Sequence, residues 1–308
     1  MDYKIDENFI KKKLESFYKL IDGKEEGDSD TRYKSWEYCY QAFADKRREY
    51  AKATEKEREK IVDFLSLHLG FYLASWGMYR GSSYLLQRDY KTHKKTVRIL
   101  LEEQYACLWG YAPQKSVLQS RERSVQNELL FDGEKGLYGR IKTAYIGRGE
   151  WVDDSLLTEE GDGDVASDTL VTKILLGALG CIPAFDRFLK RGIKWLKQFD
   201  GYKRITQTIE NGKASEGKTF ALLECFACAN EGSLVIDNPT VRYPVMKCLD
   251  MFLWQIGYEY DLIEGLKKEK NEEKKRKILS RAQKLGVCIS NDYASAVAEI
   301  EKGLTVGV

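Results

Sequence analysis

Proline is scarce in this 308-residue chain, with four in all, and histidine is scarcer still, with two. Few forced helix breaks, together with charged residues at 32%, favour an all-α chain. Net charge is nearly absent: 50 Lys and Arg stand against 48 Asp and Glu, so any nucleic-acid surface must be a local patch. No apolar run is long enough to span a bilayer, since Ile61 to Met78 is interrupted by Asp63, His68 and Gly70. Seven cysteines form an odd set without the spacing of a disulfide framework, and no signal peptide precedes them; a reduced, soluble, cytoplasmic protein is expected. Cys225 and Cys228 are spaced C-x-x-C, but a metal site needs two further ligands and only Cys248 and the two histidines are at hand. Core cysteines are expected, and no metal. A Walker A loop, a dinucleotide fingerprint and a nucleophile elbow are all lacking, so no cofactor is expected.

What is present is organised around residues 167–195, S-D-T-L-V-T-K-I-L-L-G-A-L-G-C-I-P-A-F-D-R-F-L-K-R-G-I-K-W. Leu170, Val171, Ile174, Leu175, Ala178 and Leu179 recur at helical spacing, with Ser167 or Asp168 as N-cap and Gly180 as the stop. Pro183 is expected to open a second helix and to put Asp186 in its first turn, where free amide N–H groups favour a carboxylate. From Asp186 to Arg204 there are seven Lys/Arg and two Asp, a local charge of +5. A carboxylate thus heads a helix whose charge suits phosphates.

Helix, short loop, I-P-A-F-D and basic helix together resemble the core of the helix-hairpin-helix DNA glycosylases over residues 160–200. The resemblance implies a multi-helix fold of two closely packed helical lobes with the site between them. It also makes Asp186 the catalytic aspartate, which stabilises the sugar cation or polarises the attacking water as the base departs. The hairpin expected before the first helix is degenerate here: Gly161 and Gly163 stand among acidic residues. By the same resemblance Gly161, Gly163, Lys173, Arg187, Lys190, Arg191 and Lys194 follow the DNA backbone. Lys173 lies one turn beyond the position of the Schiff-base lysine in bifunctional members. A monofunctional enzyme leaving an abasic site is therefore implied, acting as a monomer on duplex DNA with a flipped base, in repair or in defence against modified phage DNA.

Around this core the chain divides into an N-terminal helical lobe (1–130), the glycosylase-like core (131–263) and a charged C-terminal helical extension (264–308). Helices are expected at Phe9 to Ile21, Arg32 to Tyr50 with an exposed extension over 51–60, Ile61 to Met78, 94–112, Thr219 to Ala229, Met246 to Tyr258 and Asp292 to Leu304. Residues 131–163 form the least regular region, where Lys135, Arg140, Lys142 and Arg148 alternate with glycine and tyrosine. The Lys/Glu-rich run 264–285 reads as a solvated helix or hinge. In S-W-G-M-Y-R-G-S-S, Gly77 and Gly81 interrupt a helical pattern beside Trp76, Tyr79 and Arg80, either as a helix break or as close helix packing. Trp76, Tyr79 and Arg80, with Phe252, Trp254 and Gln255 of the late apolar helix, are candidates for the base pocket. The buried polar members of that helix, Asp250 and Gln255, require partners.

Two other readings compete. Arg88 and His93 match the R-x4-6-H pattern of the HEPN ribonucleases, which by resemblance cut RNA without metal from a dimer interface. Alternatively the chain is a non-enzymatic nucleic-acid-binding protein in which Asp186 only caps a helix, as most first-turn aspartates do.

Overall fold

The computed structural model describes residues 4–22, 32–81, 83, 85–114, 124–145, 166–199, 202 and 215–305. Gly161, Gly163 and Arg148 lie outside the described residues. Within these residues the chain is helical and contains no strand.

The centre is α10 (Val245–Lys268), numbering the α-helices in chain order. It is apolar on nearly every side, so other helices must cover it from several directions. The closest is α8 (Arg187–Leu196), which crosses where each helix has a glycine. A Cβ on Gly192 would collide with the Leu253 carbonyl, and one on Gly257 with the Phe188 carbonyl. The backbones touch because no side chain separates them. On another side lies α1 (Glu7–Asp22), whose Lys13 forms a buried ion pair with Glu259 of α10. α9 (Ser215–Ala229), α11 (Glu272–Lys284) and α12 (Tyr293–Leu304) complete the cover. The expected boundary between residues 263 and 264 falls inside α10, and the Lys/Glu-rich run is the last turn of that helix followed by α11.

α2 (Ser35–Lys52) and α3 (Glu55–Ser75) form a helical hairpin. The expected extension over 51–60 is broken at Ala53 and Thr54, both extended, because Thr54 and Glu57 make a reciprocal capping box that starts a new helix. α7 (Asp168–Ala178) packs on both: Gly177 faces the Tyr72 ring, and the Trp36 indole donates to the Leu176 carbonyl at 2.9 Å. The helix expected over 94–112 stops early. α4 (Lys94–Leu100) gives way at extended Glu102, whose carboxylate is held by Arg140 of α6 (Leu137–Ala144), and a 3-10 turn follows over Glu103–Leu108. α5 (Val125–Phe131) packs on α6 and is tied to α9 through Glu224, which accepts from Tyr111, Ser124 and Asn127.

Candidate active site at the head of the basic helix

Ser167 caps α7, its hydroxyl accepting from the Leu170 amide at 3.2 Å, and Gly180 ends the segment at a φ of 63°. From there the chain does not turn helical at Pro183. It runs buried through Ile182, Pro183, Ala184 and Phe185, and α8 begins only after Asp186, which is itself the N-cap. The shift has a visible cause. Side chains of two other helices fix the loop's backbone: Asp250 Oδ1 accepts from the Ala184 amide at 3.0 Å, Thr172 Oγ1 accepts from the Phe185 amide at 2.8 Å, and Thr169 donates to the Phe185 carbonyl at 2.9 Å. With the loop pinned by these contacts the chain stays non-helical up to Asp186, whose extended backbone makes it the N-cap.

Asp186 Oδ1 accepts from the amides of Phe188 and Leu189, both at 3.0 Å. Oδ2 faces Lys173 Nζ at 3.4 Å; the lysine side chain is 6% exposed and the aspartate 16%. The same ammonium lies 4.7 Å from the centre of the Trp76 ring. The structure therefore brings together three residues that lie far apart in sequence, Trp76, Lys173 and Asp186. The Trp76 indole N–H is buried and has no hydrogen-bond partner among the described residues.

A second charged pair lies behind the first. Lys247 contacts Asp250 at 3.0 Å, and both are buried. The Lys247 ammonium sits 5.2 Å from the Trp36 ring and 5.9 Å from the Trp76 ring. Tyr72, wholly buried, has its phenol pushed far up, by burial first and then by the charges of Asp250 and Asp186. The requirement that Asp250 and Gln255 find partners is met for Asp250, by Lys247 and the Ala184 amide. It is half met for Gln255, whose Nε2 donates to Glu259 at 2.9 Å while its buried Oε1 has no partner among the described residues.

The other candidate residues are distributed differently. Phe252 is fully buried and stacks on Phe226, while Gln255 is fully buried beside Glu259; neither faces Asp186. Trp254 packs edge-on against Phe17 and Phe188. Through these contacts it joins an aromatic row that leads back to the site: Trp76, Tyr33, Phe17, Trp254, Phe188 and Tyr258, with neighbouring centroids 4.8 to 6.1 Å apart. Tyr33, Trp76, Phe188 and Tyr258 are half-buried. Tyr33, Phe188 and Tyr258 were not singled out by sequence, because only the packing of three separate helical segments puts them in one row.

The break at Gly77 and Gly81 is real, with both at positive φ, and Arg80 folds back over Gly77 on the surface. Tyr79 turns away toward His93, donating to or accepting from its Nε2 at 2.6 Å, while Tyr145 meets Nδ1 at 2.7 Å. His93 is 0% exposed, and burial pushes its pKa down to about 4. A ring in this position cannot touch RNA at a surface. In the basic helix, Arg191 pairs with Asp261 at 2.9 Å and with Glu264 at 2.8 Å, and Arg187 pairs with Asp261 at 3.3 Å. Lys190 and Lys194 are exposed on the same helix.

No group of three or more His, Cys, Asp or Glu among the described residues is placed to hold a metal ion. No described helix is long and apolar enough to cross a membrane. These features define an all-helical protein with an aspartate–lysine pair at a helix N-terminus, bordered by half-buried aromatic rings. No protein-family model matches the chain, and neither a curated protein nor a solved structure does.

Proposed function

We propose that the chain is a monofunctional DNA glycosylase in which Asp186 is the catalytic carboxylate. The observation that carries this reading is the division of labour at that side chain. Oδ1 is fixed by two amides of α8, which sets the orientation of the carboxylate, while Oδ2 is left facing the Lys173 ammonium, which itself lies against the Trp76 ring, and the side chain keeps 16% of its surface exposed. Departure of a base from the sugar builds positive charge on the ring, and a preoriented carboxylate stabilises that charge without having to reorganise during the reaction. Trp76, Tyr33, Phe188 and Tyr258 offer faces against which an extruded base stacks. Lys190 in the first turn and Lys194 in the last turn of the same helix supply exposed positive charge for phosphates.

The HEPN-type ribonuclease is the weaker reading, because it requires an accessible histidine and His93 has no exposed surface. The non-enzymatic reading accounts for Lys173 as the counter-charge of a helix-capping Asp186 and gives no use to the half-buried aromatic rings beside the pair.

The test is a panel of duplexes carrying damaged and modified bases, with an RNA control, incubated with the protein and then assayed for abasic sites. Base release from at least one duplex, with RNA intact, is expected. Cleaved RNA, or no abasic site on any duplex, contradicts the proposal.

A further inference from the structure

Away from Asp186, beyond the C-terminal end of α7, lies a cleft of about 370 Å³ that the proposed activity does not use. Its lining is mixed: Phe43, Leu100, Leu101 and Leu179 contribute apolar atoms, and Arg47, Arg58 and Arg98 contribute three guanidinium groups. A volume of this size is at the small end of ligand pockets, which run from roughly 300 to 1,000 Å³.

The three guanidinium groups are not equivalent. Arg98 is held by Glu59, with one terminal nitrogen at 2.7 and 2.8 Å from the two carboxylate oxygens, and has little to offer a ligand. Arg58 lies 5.2 Å over the Tyr50 ring and reaches the Tyr50 carbonyl with Nε at 3.1 Å and the Ala51 carbonyl with one terminal nitrogen at 3.5 Å. Its other terminal nitrogen has no hydrogen-bond partner among the described residues. Arg47 lies 5.1 Å over the Trp109 ring, and no ion pair or hydrogen bond holds it among the described residues. Of the two acids in the cleft, Glu102 is taken by Arg140. Glu103 is exposed.

A guanidinium laid on an aromatic face is ordered before any ligand arrives, so less freedom is lost when it binds an oxyanion with its planar fork. Trp109 is itself fixed, stacked on Tyr40 at 4.6 Å. Two ordered cations in a small cleft partly lined by apolar side chains match one ligand chemistry: a doubly charged head group on a compact, weakly polar body. We propose that this cleft binds a small phosphate monoester of about mononucleotide size, with Arg47 and Arg58 holding the phosphate and Leu100, Leu101 and Leu179 contacting the body. Glu103 opposes binding as the uncompensated negative charge beside it.

Calorimetry on the full chain with adenosine 5′-monophosphate, inorganic phosphate and adenosine tests this. The monophosphate is expected to bind more tightly than phosphate, and adenosine least. Arg47→Ala should weaken monophosphate binding roughly ten- to a hundredfold, the usual effect of removing a charged hydrogen-bond partner. Glu103→Gln should tighten it by several-fold. Arg47→Lys keeps the charge but loses the fork and the stacking, and an intermediate affinity is expected from it. Should Arg47→Ala melt at a lower temperature than the wild type, Glu103→Gln and Arg47→Lys still decide the matter. Absence of binding by the monophosphate at millimolar concentration, or binding that neither Arg47→Lys nor Glu103→Gln alters, overturns the proposal. Neither outcome bears on Asp186, whose test is base release.

Discussion

His93 has a phenol on each ring nitrogen and no surface in water, which makes it the residue whose protonation the fold resists most visibly. Its pKa is about 4 in the folded chain and near the ordinary 6.5 when unfolded. The unfolded chain therefore takes up a proton below pH 6.5 that the folded chain refuses until about pH 4, so this stabilisation is present above 6.5 and is lost as pH falls through that window. By linkage the full loss is roughly 3 kcal/mol. Denaturant melts from pH 7 to pH 4 should show it in the wild type and not in His93→Gln, which keeps hydrogen-bonding capacity but does not titrate there. Parallel pH curves for the two proteins would contradict the assignment. Glu224 and Glu259, both pushed up by burial, act with opposite sign and are common to both proteins, so the difference isolates the histidine. At this scale the sequence was informative for Ser167, whose cap role follows from local spacing, whereas Asp186, expected within the first turn, is the N-cap itself. The sequence was silent about Tyr79 and Tyr145, because a buried histidine's partners come from other segments.

Among the elements, the crossing of α8 and α10 carries the site, since α8 presents Asp186 and α10 presents Asp250 and Lys247. That crossing depends on two glycines. Gly192→Ala or Gly257→Ala forces a methyl group against a backbone carbonyl that cannot move aside without separating the helices. Overpacking of this kind costs about 1–3 kcal/mol, and here the upper end or more is expected. Urea melts of each variant check it; alanine tolerated at both positions without loss would show that the helices are not in backbone contact. Periodicity located α1, α7, α9 and α12 to within a few residues, because each buries apolar positions that its own sequence records; it found the start of α10 but ended it at Tyr258, ten residues short of Lys268. It placed the start of α8 a turn early and merged α4 with the segment after it. In both cases side chains from distant helices decide the local backbone: Thr172 and Asp250 at the first, Arg140 at the second. Such contacts are invisible to local pattern. The Phe252 and Gln255 positions were chosen for their chemistry, whereas the all-round burial of α10 places them in the packed interior.

For the whole molecule, near-neutral charge means that a DNA surface is defined by which cations remain accessible to phosphates, and sequence alone counts them all equally. Arg187 and Arg191 are engaged by Asp261 and Glu264, while Lys190 and Lys194 are exposed. Removing Lys190 and Lys194 should lower the slope of log affinity against log salt by roughly 0.9 for each phosphate that is no longer neutralised, and Arg191→Ala should change it less. Equal effects from all of them would show that the ion pairs open on binding. The central claim concerns Asp186, and its most direct test is the rate of base release by Asp186→Asn on whichever duplex the wild type processes. Asparagine still accepts from the Phe188 and Leu189 amides but no longer balances the nearly buried Lys173 ammonium 3.4 Å away, so a cost of about 3 kcal/mol is expected. A urea melt checks that the variant is folded before its rate is read. The charge beneath the sugar is gone, which is typically worth roughly two to three decades in rate. The account predicts that the variant binds the duplex at least as well as the wild type and releases the base about a hundred- to a thousandfold more slowly; release at the wild-type rate would make Asp186 a helix cap and nothing more.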